Sequence, residues 1–331
     1  MELVCPAGNL PSLKAAVDEG ADWVYLGLRD DTNARNFAGL NFDPRALGEG
    51  LAYAHARGRK VLVAINTYPQ TDNWARWTAA LDQAAGLGAD AVILADPGLI
   101  RHAHRTHPKL ELHLSVQASA TSYEAINFFG ERFGVRRAVL PRVLSLAQVE
   151  HVVRHTPVEI EVFGFGGLCV MAEGRCALSA HVCGTSPNTG GACSPGHAVR
   201  WQETPRGLES RLNGVLVDRY GAGEPAAYPT LCKGRFDVTG ETYYAIEEPA
   251  SLNTIGMLPQ FLRMGVAAVK IEGRQRSPAY VAQVTRVWRE AIDAVRRDAD
   301  AFAARPAWTT TLARHAEGHQ QTLGAFSRPW K

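Results

Sequence analysis

Five of the six cysteines fall in one stretch: Cys169, Cys176, Cys183, Cys193 and Cys232, with Cys5 alone near the start. Thiolates are soft metal ligands and nucleophiles. In a reducing compartment such a concentration points to metal binding or catalysis rather than to disulfides. Six residues separate Cys169 from Cys176, sixteen separate Cys176 from Cys193, and thirty-eight lead on to Cys232. A compact zinc ribbon needs two close pairs, and a ferredoxin run needs tight C-x-x-C repeats; neither is present. Spacing alone therefore leaves an iron–sulfur cluster, a zinc ion and unligated thiols open, in that order of preference. Cys183 stands amid the others and could replace one of them. Cys5 ends the first expected strand and reads as a buried, inert thiol. Both are left outside the ligand set.

The stretch that holds these cysteines interrupts a regular pattern. Short apolar runs at 3–5, 23–26, 60–65, 91–95, 112–116, 138–140, 159–163 and 268–271 alternate with helical-period segments at 10–19, 44–56, 74–86, 98–107, 123–133, 145–155 and 278–297. Runs that are apolar throughout suit strands buried on both faces, and their alternation with helices predicts parallel βα units. Eight such strands favour an α/β (β/α)8 TIM-like barrel of residues 1–298. Within it, 164–236 forms a long cysteine-bearing iron–sulfur insertion after strand seven, rich in Gly, Pro, Ser and Thr and expected to be irregular. Residues 251–264 read as the seventh helix, and 299–331 as a polar, irregular C-terminal extension. In such a barrel the loops after the strands form the site face, so an insertion after strand seven lands at the mouth.

Among 331 residues, 46% are hydrophobic and 21% charged, and 35 basic side chains nearly cancel 33 acidic ones. No basic stripe for nucleic acid is visible. No signal peptide or uninterrupted apolar span is visible either, so a cytoplasmic protein without a direct membrane span is expected.

The stretch from Glu161 to Ser179, EVFGFGGLCVMAEGRCALS, resembles the signature of the collagenase-like peptidase family. Gly167 stands where that pattern has Ser or Ala, which keeps the residue small. The resemblance extends through Val4–Asn9, 22–27, 34–39 and the run Lys270-Ile-Glu-Gly-Arg274. Within the family, Ser186-Pro-Asn-Thr189, Cys193-Ser-Pro195 and Arg200-Trp201 are most similar to members that act in anaerobic ubiquinone biosynthesis. The resemblance implies a [4Fe–4S] cluster on Cys169, Cys176, Cys193 and Cys232 and a heterodimer with a homologous protein. It also implies oxygen-independent hydroxylation of the ubiquinone ring precursor, with prephenate as oxygen donor.

Proteolytic machinery is not evident. There is no G-x-S-x-G elbow and no His-Glu-x-x-His, and a metal would consume the clustered thiols. Catalytic residues are not identified. Substrate-binding candidates are side chains expected at strand ends: Asn66 and Thr67 after strand three, Asp96 after four, Gln117 after five, Arg142 after six, and Glu272 and Arg274 after eight. Arg35, in the loop after strand two, offers a guanidinium for a carboxylate such as prephenate's. Each competes with a plainer reading as a structural hydrogen bond or a solvated charge. His102, His104 and His107 read as solvated, and Trp74 and Trp77 as one helix's packing face. Two rivals remain: a relative that hydroxylates RNA bases, disfavoured by near-neutral charge and the lack of a sizeable extra C-terminal domain, and a scaffold stapled by a non-catalytic cluster.

Overall fold

Each of the eight apolar runs forms a strand in the computed structural model, which describes residues 1–190, 192–317 and 320–328. These barrel strands are β1 (Glu2–Pro6), β2 (Trp23–Gly27), β3 (Lys60–Ile65), β4 (Ala91–Leu94), β5 (Glu111–Leu114), β6 (Arg137–Val139), β7 (Glu159–Gly167) and, after an excursion, β14 (Ala268–Ile271). Neighbours pair in parallel, and β14 pairs with both β7 and β1, so the sheet closes on itself as a TIM-like barrel. Closure leaves no free edge between these strands.

The outer layer is α1 (Leu10–Asp18), α2 (Pro44–His55), α3 (Trp74–Gly86), α4 (Pro97–Thr106), α5 (Tyr123–Phe133) and α6 (Leu146–His155), then, past the excursion, α9 (Leu258–Met264) and α10 (Pro278–Arg297). Local chemistry starts most of them. Asn9, Asp43, Asp96, Ser122 and Ser277 each accept a first-turn backbone N–H, and Ser145 with Gln148 closes a capping box. Apolar helix faces and outward strand residues form the main core. Inside the barrel, Val4, Trp23, Tyr25, Leu62, Ala64, Ala91, Ile93 and Ala268 fill one side. His113, Arg137, Glu161 and Lys270, all buried, are charged or titratable.

Three expectations need correction. Residues 251–264 are not one helix: β13 (Ala250–Asn253) runs antiparallel along the end of β7, pairing Leu252 with Gly166, and only α9 follows. The reason is that β7 continues past its expected end to Gly167, offering backbone groups to a further strand. The excursion is not irregular throughout. Beyond the short helices α7 (Leu178–Cys183) and α8 (Pro187–Gly190), it builds a three-stranded antiparallel sheet of β8 (Val199–Thr204), β9 (Gly207–Leu212) and β10 (Val215–Tyr220), then the hairpin of β11 (Arg235–Val238) and β12 (Glu241–Tyr244). Asn213-Gly214 and Thr239-Gly240, all at positive φ, make the tight turns. The segment after position 298 is also structured: α11 (Pro306–His315) leads to β15 (Gln320–Thr322), which pairs in parallel with β13. Residues 318, 319 and 329–331 of that extension and residue 191 of the insertion lie outside the described residues. Among the described residues no helix is long and apolar enough to cross a membrane.

Candidate functional site

Alternation along a strand places every second side chain on one face. In Lys270-Ile-Glu-Gly-Arg274 it turns Lys270, Glu272 and Arg274 toward the barrel mouth while Ile271 enters the outer core. There they line one cleft with Arg35, Asn66, Gln117 and Arg142 from the loops after β2, β3, β5 and β6. Of the eight candidates at strand ends and in the loop after β2, six meet in one cavity; Thr67 and Asp96 are not among its lining residues. The cleft is open to solvent and encloses about 60 Å³. Tyr25, Phe163, Glu173 and Lys270 also line it and escaped the sequence reading. Lys270 was signalled by the two-residue period it shares with Glu272 and Arg274. Glu173 was signalled only by lying between Cys169 and Cys176.

Arg142 is the hub. It donates to Glu272 at 2.5 Å and to Glu173, and lies 3.5 Å above the Phe163 ring. Arg35 reaches Glu272 at 3.5 Å. Burial alone would raise the Glu272 carboxyl, but Arg142 and Arg35 more than offset it and hold the group below the usual range. Glu173 goes the other way: burial raises it in spite of Arg142. Gly166 is required here, since it adopts φ +137° and a Cβ would stand 2.5 Å from that of Glu272.

Other candidates have partners that define them as structural. Asn66 accepts from the Ala34 N–H at 3.0 Å and donates to Ser115 at 2.9 Å, tying three loops together. Thr67 donates to the Asp31 carbonyl, and Asp96 caps α4. His107 pairs with Asp82, His102 meets the edge of Trp74, and His104 meets Phe133. Of the two tryptophans expected to pack, only Trp77 does; Trp74 is 40% exposed, because its position on α3 faces outward against His102. Cys5 is fully buried, accepts from Thr285, and is pushed up to about 12, chiefly by burial.

Cys169 lies just beyond β7, Cys176 before α7, Cys193 after α8, and Cys232 in a turn whose carbonyl accepts from Glu247. Burial pushes Cys232 up to about 11, aided by charge on Cys193 and Cys176 against the pull of Lys233. Burial likewise raises Cys169, with Glu173 and Cys232 adding to it. Cys183 packs at the edge of the Ala198, Leu212 and Val217 cluster. Charge on Cys193 and Cys169 reaches Arg35, and charge on Cys169 reaches Arg142, although no cysteine is among the described residues that line the cavity. Among the described residues, no three His, Cys, Asp or Glu side chains are gathered in a way that could hold a metal ion.

The family model for "Peptidase family U32" matches residues 8–328. The chain is similar to tRNA hydroxylation protein P1 of Bacillus subtilis, at 33% identity over 98% of this chain and 70% of that protein. It is also similar to tRNA hydroxylation protein P of Escherichia coli, at 33% over 96% of this chain and 72% of the relative. The 23S rRNA 5-hydroxycytidine C2501 synthase of E. coli is 28% identical over 89% of this chain and 40% of that protein.

Proposed function

The chain belongs to peptidase family U32, and from that premise we propose that it works as UbiU does, as the [4Fe–4S]-bearing half of a cytoplasmic heterodimer with a UbiV-like homologue. The pair hydroxylates the ubiquinone ring precursor without molecular oxygen, taking the oxygen atom from prephenate. This reading rests on one arrangement: Arg35, Arg142 and Arg274 line a cleft at the barrel mouth, within electrostatic reach of Cys169 and Cys193.

Cys169, Cys176, Cys193 and Cys232 would hold the cluster. The donor set is chemically apt, being four thiols on loops that share one rim. A four-iron cluster is itself wider than a single ion, so it does not require the tight convergence that one ion would. When bound, it supplies single-electron transfer. The chain's own residues do the rest: Arg142 and Arg35 hold the Glu272 carboxyl below its usual range, while burial holds that of Glu173 above it. A cysteine peptidase needs a thiol whose pKa is lowered, whereas burial raises Cys169 and Cys232.

The test is iron and acid-labile sulfide in protein purified without oxygen, with about four of each expected per chain. Alanine at any of the four cysteines abolishes them, and Cys5→Ala and Cys183→Ala keep them. Zinc, or a folded protein without metal, sinks the redox reading. The printed names of the relatives favour a second reading, hydroxylation of an RNA base. Mass spectrometry of ubiquinone and of tRNA and rRNA nucleosides from oxygen-starved cells lacking the gene separates the two. Loss of the quinone alone supports the first, and loss of a hydroxylated nucleoside the second.

A further inference from the structure

We propose that Lys270 is a nucleophilic amine, set to capture the carbonyl group of a small ketone or aldehyde in the barrel mouth as a Schiff base. The inference goes beyond the proposed function and does not depend on it. The chain has six lysines. Lys14, Lys60 and Lys109 are exposed, and Lys331 lies outside the described residues. The remaining two are buried and ion-paired, Lys233 with Glu317 at 2.5 Å and Lys270 with Glu161 at 2.7 Å. Of these, Lys270 alone lines the cavity among the described residues. Its Nζ stands 4.0 Å from the centre of the Tyr25 ring, itself part of the cavity wall, so the amine end of the side chain is at the cleft. A lysine that serves only as a strut, as Lys233 does, has no reason to turn its amine toward an open cleft.

The surroundings supply what amine addition needs. Burial lowers the Lys270 ammonium from its ordinary value in spite of Glu161, which favours the free amine. Glu161 is fully buried, with one oxygen on Lys270 and the other 3.8 Å from Arg137. In the step, the Lys270 ammonium passes a proton to Glu161 and the free amine adds to the carbonyl carbon. The carbinolamine then takes that proton back from Glu161 and loses its hydroxyl as water, while the nitrogen lone pair closes the C=N bond. No oxidant or reductant enters. Ammonium before and iminium after carry the same charge, so the pair with Glu161 and the contact with the Tyr25 ring outlast the reaction. In the same cavity Gln117 Oε1 is buried without a hydrogen-bond partner among the described residues, and can accept from the carbinolamine hydroxyl.

The experiment treats the full chain, purified without oxygen, with the neutral ketone hydroxyacetone and then with borohydride, which reduces a Schiff base to a stable secondary amine. Mass spectrometry of the peptides maps the adducts. Wild type is expected to carry its main adduct on Lys270 and none on Lys233, with less on Lys14, Lys60 and Lys109. Lys270→Arg keeps a cation beside Glu161 and should fold, yet lose that adduct. Glu161→Gln is expected to slow trapping about 100-fold, the ordinary worth of one positioned proton carrier. The inference is overturned if folded wild type carries no adduct on Lys270. Labelling of Lys270 that appears only in urea, or that merely matches the exposed lysines, overturns it as well. Unchanged trapping in folded Glu161→Gln overturns the part given to Glu161, and the wild-type map decides alone if that variant does not fold. None of these readings involves hydroxylation, so failure of the proposed function leaves them intact.

Discussion

The two ends of the barrel each bury a cluster of charges, and they treat them differently. At the floor, Arg137 donates to Glu2 and Glu159 at 2.5 Å and His113 meets Glu111 at 2.8 Å, while Lys270, which also lines the mouth cavity, pairs with Glu161 in the barrel interior. The floor's partnerless Arg137 Nη1 and Glu161 Oε2 face each other at 3.8 Å. At the mouth, Arg142 joins Glu173 and Glu272 beside the cavity, and among the described residues Arg274 makes no ion pair, donating instead to the Asn33 amide oxygen at 3.1 Å. Charges that close on themselves hold a fold together, whereas charges left open describe something that is to be bound.

The largest expected effect tests the floor. Lys270→Met leaves the fully buried Glu161 with Arg137 at 3.8 Å as its remaining ion-pair partner among the described residues and should cost about 3 kcal/mol in urea unfolding at neutral pH, against no loss for Arg274→Met. Equal losses for the two variants would erase the contrast. Next, Gly27→Ala should cost about 2 kcal/mol in urea unfolding by overpacking against Arg274 and Asn33. A smaller effect comes from the opposite pKa directions. Glu161 and Glu272, held low in the fold, contribute stability above the unfolded glutamate value of about 4.3 that is lost as pH falls through their folded values. Glu173, held high, does the opposite: it costs stability as pH rises from about 4.3 through its folded value. Glu173→Gln should therefore remove that cost, so that in urea unfolding the variant gains on wild type as the pH rises from 4 to 8. Smallest is the exposed Arg45–Glu49 pair, where Arg45→Ala should change stability by about 0.3–0.5 kcal/mol.

The barrel was readable in the sequence because its strands are buried on both faces and so appear as apolar runs, and because parallel order puts strand ends at one mouth. That geometry is why Arg35, Asn66, Gln117, Arg142, Glu272 and Arg274 could be named together. Their separate roles were not readable. Asn66 is tied to Ala34 and Ser115, and Arg274 lacks an anion, only because of side chains far away in sequence. The small sheets of the excursion were missed because β8 is exposed along most of its length and shows no apolar run, although Asn213-Gly214 is a hairpin signal in plain letters. Glu173 reaches the mouth from a loop rather than a strand end, so no strand pattern could place it.

The segment after α10 holds the excursion from behind. Glu317 bonds Lys233, next to Cys232, at 2.5 Å and donates its N–H to Ser251. Phe326 packs with Leu168, next to Cys169, and Arg328 pairs with Glu247, whose N–H binds the Cys232 carbonyl. Translation therefore delivers every cysteine before it delivers the residues that brace Cys169 and Cys232. β14, which closes the barrel, likewise precedes that clasp in the chain, so chains cut short before Glu317 lack the residues that brace Cys169 and Cys232.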